Sequence, residues 1–245
     1  MNKDAVIIIP SRLGSTRLSK KPLQEIAGKS IIQWVAEQAT KAKVCDVYVA
    51  CCSKEISHTL ESSGFSCILT DPELKSGTDR VYAASQKLEK KYEFIINLQG
   101  DMPFIQAKTI QAVYDSIQAG EVDVATAATP VNEIEKFKSL GVVEAIVSYT
   151  GRALYFTRYY DSRKCNSLKE KPLLEHIGIY AYTKDSLKKF ASLDQSPLEK
   201  LEKLEQLSAL ENNMSMSVSI VDDPHISVDT EDDLKAAREY YNTFI

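Results

Sequence analysis

From residue 5 the chain reads as short apolar runs separated by segments with helical spacing. Ala5 to Ile9 is a continuous apolar run that predicts a buried strand. Ser30 to Lys43 sets Ile31, Ile32, Val35, Ala39 and Ala42 on one helical face, and the β-rich run Val47 to Cys51 follows. The unit then repeats: helix Lys54 to Ser63 ended by Gly64, strand Phe65 to Leu69, helix Thr78 to Lys91, strand Phe94 to Leu98, helix Ala107 to Ala119 closed by Gly120, strand Val122 to Ala128. This alternation predicts an α/β fold with a mostly parallel sheet covered on both faces. Ligands of such sheets sit at the carboxyl ends of the strands, so loops beginning at Ser11, Ser53, Asp71 and Gln99 are expected on one rim.

Beyond residue 128 the pattern changes. Val142 to Ser148, Gly151 to Thr157 and His176 to Tyr182 are strand-like with little helix between them, which predicts hairpins or a protruding arm at about 150–183. The polar segment Tyr159 to Lys171 reads as a mobile loop. Ser196-Pro-Leu-Glu199 opens a helix with an N-cap serine, a first-turn proline and a capping-box glutamate, and Leu198, Leu201, Leu204, Leu207 and Leu210 are expected to line its core side. Met216 to Val221 and Ile226 to Asp229 read as extended, and Thr230 caps a last helix with Asp233 as its partner acid. The acids Glu231, Asp232 and Asp233 suit that helix's N-terminal dipole. With no linker tract or internal repeat, residues 1–245 are expected to form one domain.

Charge and cysteine usage narrow the function classes. A chain of 245 residues with net charge -4 offers no broad basic face, which argues against nucleic acid as its main partner. The five cysteines (Cys45, Cys51, Cys52, Cys67, Cys165) contain no C-x-x-C pair, and reduced thiols of a cytoplasmic protein are the natural reading. The first apolar run is too short for a signal peptide and no later run approaches a membrane span, so a soluble, intracellular protein is expected.

Candidate chemistry gathers at the predicted rim. In Pro10-Ser-Arg-Leu-Gly-Ser-Thr-Arg-Leu-Ser-Lys-Lys-Pro-Leu23, the small residues Ser11, Gly14, Ser15 and Thr16 let the backbone curl its N–H groups around an anion, while Arg12, Arg17, Lys20 and Lys21 bring cations. A nucleoside triphosphate fits such a loop, although a solvated basic loop would have the same composition. It matches neither G-x-x-x-x-G-K-[ST] nor G-x-G-x-x-G. Phe94-Ile-Ile-Asn-Leu-Gln-Gly-Asp101 runs from a buried strand into a carboxylate, and Asp229 is the best second one; Mg²⁺ needs only one or two carboxylates beside phosphate oxygens and water. Ser76-Gly-Thr-Asp-Arg80 aims a helix N-terminus at the same rim, with a plain N-cap as the alternative. His176, near Arg158, is the histidine of interest, as a ligand contact or as a packed core residue.

Seven segments in order, IIIPSRLGSTRLSKKPL, SGTDR, NLQGD-P, GRALYFTR, EHIGIYAY, LEKLEQLSALE and SVDTEDDL, resemble the 3-deoxy-manno-octulosonate (Kdo) cytidylyltransferases, or CMP-Kdo synthetases, within the sugar nucleotidyltransferases, which implies a Rossmann-like three-layer α/β/α fold with a mostly parallel mixed sheet of glycosyltransferase-A type. The resemblance implies Mg²⁺-dependent transfer of CMP from CTP to the anomeric hydroxyl of a 2-keto-3-deoxy sugar acid, in a cytoplasmic homodimer serving lipopolysaccharide or capsule synthesis. It implies that Ser11, Arg12, Leu13, Gly14, Ser15, Arg17, Lys21, Ser76, Gly77, Thr78, Arg80 and Gln99 bind the nucleotide. Arg17, Lys21 and Asp101 would carry catalysis, and Asp101 and Asp229 would hold the metal. Gln99, Arg158, His176, Tyr180, Glu205 and Gln206 would line the sugar-acid pocket.

The chain departs from the family's usual residues at several positions. Met102 replaces Glu or Gln, Glu144 a lysine, Cys52 an aspartate and Glu175 a basic residue, and Tyr159-Tyr-Asp-Ser replaces the usual stretch. Ordinary drift accounts for these, or a changed acceptor such as 8-amino-3,8-dideoxy-manno-octulosonate or another 2-keto-3-deoxy sugar acid. A non-catalytic CTP-binding paralogue is the alternative from another class.

Overall fold

The apolar run after Asp4 forms β1 (Ala5–Ser11), buried along its whole length as a central strand must be. The computed structural model describes residues 4–14, 17–131, 137, 139, 141–159 and 172–245. The chain divides into two compact units, Met1–Gln111 with His225–Ile245, and Ala112–Pro224.

In the first unit a 3-10 turn, Lys21–Leu23, leads to the hairpin β2 (Glu25–Ile26) and β3 (Lys29–Ser30). Its turn residues Ala27 and Gly28 have φ 49 and 77, the handedness that suits a two-residue hairpin; the apolar pattern gave no sign of these strands. Next come α1 (Ile31–Lys41), β4 (Asp46–Cys51), α2 (Lys54–Glu61), β5 (Cys67–Leu69), α3 (Gly77–Lys87) and β6 (Phe94–Leu98). Ser30 caps α1 in a capping box with Gln33, and Ile31, Ile32, Val35 and Ala39 are buried as their spacing predicts. The strands run parallel in the order β6-β1-β4-β5, with Ile8 opposite both Asn97 and Tyr48. Their carboxyl ends therefore lie on one side, which puts Ser11 and Gln99 on a common rim.

Helix α4 (Ala107–Gln118) carries the chain into the second unit. There follow β7 (Val124–Val131), β8 (Glu144–Val147), β9 (Ala153–Thr157), β10 (Leu173–Thr183), α5 (Lys184–Ala191), α6 (Pro197–Glu202), α7 (Gln206–Glu211) and β11 (Met216–Ile220). β7 pairs parallel with β11 and antiparallel with β10, and the hairpin of β8 and β9 joins β10 through Glu144 opposite Glu175. The loop expected from Tyr159 to Lys171 lies outside the described residues except for Tyr159. The chain then returns to the first unit as α8 (Glu231–Phe244), capped by Thr230 and Asp233 as predicted.

Three expectations need correction. The helix over Leu198 to Leu210 is broken at Lys203, whose φ of 56 is left-handed, and the apolar stripe holds only beyond the break: Leu204 and Leu207 are buried as expected, whereas in α6 Leu201 is 62% exposed and Glu199 and Glu202 are buried instead. Each buried acid has its own donors, Ser208 and Gln195 for Glu199, and Tyr155, Thr157 and the Arg158 N–H for Glu202. Ile226 to Asp229 forms no strand, and α3 stops at Lys87 because Leu88 is already extended. Among the described residues no helix is long and apolar enough to cross a membrane.

Candidate active site

The end of β1 and the loop after it are shaped from inside. Ser11 is 5% exposed, and its Oγ is buried without a hydrogen-bond partner. Arg12 and Gly14 are exposed and Leu13 is half-buried; Ser15 and Thr16 lie outside the described residues. Leu18, buried in the core, and Pro22 anchor the loop. Lys20 takes a left-handed φ of 48, a conformation non-glycine residues adopt at a cost, and its Nζ bonds Glu55 at 2.7 Å. That turn presents Lys21, whose Nζ donates to Asp101 Oδ2 and to Asp229 Oδ1, each at 2.9 Å. Arg17 Nη2 lies 3.1 Å from Asp229 Oδ2.

The two carboxylates reach this point by different routes. Asp101 follows Gly100, where an added Cβ would lie 2.9 Å from the Pro10 carbonyl oxygen and 3.0 Å from Ile32 Cδ1, so the turn is open only to glycine. The Asp101 carbonyl accepts the Val228 N–H at 2.9 Å. Asp233 Oδ2 accepts the N–H groups of Asp229 at 3.0 Å and Thr230 at 2.9 Å. Asp101 and Asp229 thus converge on a single cation, here the Lys21 ammonium. Burial works to lower the pKa of that ammonium, but the two aspartates outweigh it and hold it above its ordinary value. Two carboxylates around one cation fit Mg²⁺, which completes its shell with water and phosphate oxygens. Among the described residues no group of three or more His, Cys, Asp or Glu could hold a metal.

The Ser76 to Arg80 turn joins the same rim. Ser76 caps α3 in a capping box with Asp79. Gly77 packs on the Gln99 side chain and Pro10, with room for a Cβ at 3.4 Å and 3.5 Å. Gln99 donates to Asn97 Oδ1 at 3.0 Å, and Asn97 to the buried Thr78 Oγ1 at 3.4 Å. Arg80 points inward: 1% exposed, it donates to Thr70 Oγ1 and, at 3.0 Å, to the Asp71 carbonyl, while its Nη2 is buried without a partner. It braces the end of β5.

In the second unit His176 is buried, its Nε2 3.0 Å from Thr126 Oγ1, its ring 5.0 Å from Phe156 and 5.4 Å from Tyr180. The Arg158 N–H donates to Glu202 Oε2 at 3.1 Å and its Nη1 to the Gly141 carbonyl at 3.4 Å. Gln206 is 4% exposed with its amide nitrogen unpartnered, and Glu205, just before it, is half-buried. Glu202 and Asn97 were missed by sequence reasoning; the first hides in a leucine stripe and the second inside a strand.

Residues 6–217 match the cytidylyltransferase family. The chain belongs to this family. It is 42% identical over 241 residues to the 3-deoxy-manno-octulosonate cytidylyltransferase of Rickettsia typhi, covering 98% of each chain. Its identity to the protein of that name from Paramagnetospirillum magneticum is 40% over 240 residues, 95% of this chain and 96% of the relative. The solved structure of CMP:2-keto-3-deoxy-manno-octonic acid synthetase complexed with CTP matches with a TM-score of 0.89 at 32% identity over the whole of both chains. The 4-diphosphocytidyl-2C-methyl-D-erythritol synthase of Anaerococcus prevotii, with a TM-score of 0.64 at 12% identity and 98% and 99% coverage, shares the fold.

Two of this cytidylyltransferase's departures become one feature. Glu144 and Glu175, which stand where the family usually has a basic residue, are directly opposite each other on β8 and β10 and are buried, 7% and 3% exposed. Met102 packs away in the core at 2% exposure, whereas Tyr159 is exposed.

Proposed function

We propose that this cytidylyltransferase transfers CMP from CTP to the anomeric hydroxyl of 3-deoxy-manno-octulosonate and releases pyrophosphate. The convergence of Asp101 and Asp229 on one cation beside the basic loop carries the reading. The acceptor hydroxyl gives its proton to solvent water as its oxygen bonds to the α-phosphorus, and the α–β anhydride bond breaks with its electron pair departing on pyrophosphate. Arg17 and Lys21 neutralise the charge growing on that leaving group. Asp101 and Asp229 would hold Mg²⁺, which when bound supplies Lewis-acid activation of the phosphate and the attacking hydroxyl.

Ser11, with its unpartnered hydroxyl, and the Arg12, Leu13, Gly14 and Ser15 stretch take the triphosphate. Ser76, Gly77, Thr78 and Gln99 border the nucleotide, and Arg80 acts by bracing Thr70 and Asp71. Arg158 pairs with the sugar carboxylate, and His176, Tyr180, Glu205 and Gln206 contact the sugar. The reading extends to a cytoplasmic enzyme working as one catalytic domain in a homodimer, joined through the arm at about 150–183 and supplying lipopolysaccharide or capsule synthesis.

The opposed carboxylates Glu144 and Glu175 favour a second reading, in which the acceptor is amino-substituted or another 2-keto-3-deoxy sugar acid. Pyrophosphate release from CTP and Mg²⁺ with a panel of such acids decides. Release with 3-deoxy-manno-octulosonate is expected; release only with a modified acid selects the second reading. CTP binding without turnover on any acid overturns both and leaves a binding paralogue.

A further inference from the structure

Four charged side chains of the first unit neutralise one another: Arg17 and Lys21 against Asp101 and Asp229. Lys21 is the inner cation, its side chain 17% exposed against 59% for Arg17. Its ammonium stands where the carboxylates meet, 2.9 Å from each. Under the proposed function, which this inference rests on, the two carboxylates take the divalent cation and the two cations take the triphosphate. The partners each ligand needs are already engaged with the partners of the other.

We propose that Lys21 is a resident counter-cation, exchanged on loading, so that divalent cation and triphosphate are taken up together and each binds weakly alone. A metal entering by itself must push the ammonium off both aspartates, stranding a largely buried positive charge beside a divalent one. A triphosphate entering by itself draws Lys21 and Arg17 away and leaves two carboxylates, 25% and 29% exposed, facing each other with neither cation between them. When both enter, every charge is paired again: carboxylates with metal, ammonium and guanidinium with phosphate. The exchange is a side-chain movement, because the backbone around Lys21 is pinned by buried Leu18, buried Pro22 and the 3-10 turn. Such coupling is reciprocal: whatever factor the nucleotide adds to metal affinity, the metal adds to nucleotide affinity.

Calorimetric titration of Mn²⁺ into the full chain without nucleotide tests this. Lys21→Met should bind Mn²⁺ about tenfold or more tightly than the wild type, within the usual range of coupling between two ligands. Lys21→Arg, which keeps the charge, should bind it as weakly as the wild type. Lys21→Gln, which can still hydrogen-bond the carboxylates, should tighten it in the same direction and serves if the methionine variant does not fold. Metal-only affinity unchanged in both neutral variants overturns the proposal. Pyrophosphate release by the wild type separates the two readings. Release together with unchanged metal affinity in the neutral variants removes the exchange and leaves the transfer standing. Tightened metal binding without release on any sugar acid keeps the exchange and removes the transfer.

Discussion

Asp101 is the side chain on which the proposed chemistry turns. Asp101→Asn keeps the shape of the turn and the Val228 hydrogen bond to the backbone carbonyl, so the fold should survive while the charge is lost. Turnover should fall by roughly 10²–10³, the usual cost of losing one preorganised electrostatic contact, with the melting temperature nearly unchanged. A variant with near-normal turnover and Mg²⁺ dependence removes Asp101 from the metal pair. Glu202 acts at a distance from that chemistry, accepting from Tyr155, Thr157 and the Arg158 N–H at 3.2, 3.0 and 3.1 Å. Glu202→Gln turns one acceptor oxygen into a donor among donors. It should cost about 1–3 kcal/mol in chemical unfolding and raise the acceptor KM more than it lowers kcat, because Arg158 is the residue displaced. Asp101 and Asp229 could be read from the sequence because one ends an apolar strand and the other precedes a helix cap. Glu202 could not, since a leucine every three residues pointed to the opposite helical face.

Elements position these residues through backbone contacts that leave little tolerance. Gly100→Ala would bring its Cβ against the Pro10 carbonyl oxygen and Ile32. Backbone cannot yield as a flexible side chain does, so the turn after β6 must shift, at about 1–3 kcal/mol, the usual range for overpacking. Because the same turn carries Asp101, thermal unfolding and turnover should fall together, whereas Asp101→Asn lowers turnover alone. A Gly100→Ala enzyme of normal stability and activity would show that the turn has slack. Most elements were legible: β6 occupies Phe94–Leu98 as its apolar run predicts, and Ser30, Ser76 and Thr230 cap their helices through short-range side-chain bonds that a sequence displays. The hairpin of β2 and β3 was not legible, because two-residue strands carry no periodicity. The break at Lys203 was hidden too, since a left-handed lysine has no local signal. The pairing of Glu144 with Glu175 depends on register between strands about thirty residues apart, which only the fold supplies.

Across the whole molecule, the proposed function assigns to ligands two of the buried polar atoms left without partners among the described residues. Folded proteins satisfy nearly all such atoms, so an orphan calls for a reason. Ser11 Oγ in the first unit and Gln206 Nε2 in the second are both of this kind, and each belongs to a different half of the proposed reaction. If a bound ligand completes them, removing each polar group should spare or raise stability, since a buried unpaired group costs free energy in the empty protein. Ser11→Ala should therefore weaken CTP binding by about tenfold, a hydrogen bond's worth of affinity, while leaving the acceptor KM unchanged. Gln206→Leu, of similar volume, should do the reverse: a melting temperature equal to or above the wild type, unaltered CTP affinity by calorimetry, and an acceptor KM about tenfold higher. The crossed pattern is the discriminating result, because a structural role for either group would lower the melting temperature and disturb both substrates together. If Gln206→Leu destabilises the protein and leaves the acceptor KM alone, the amide belongs to the core, and the acceptor must be sought among Arg158, His176 and Tyr180 instead.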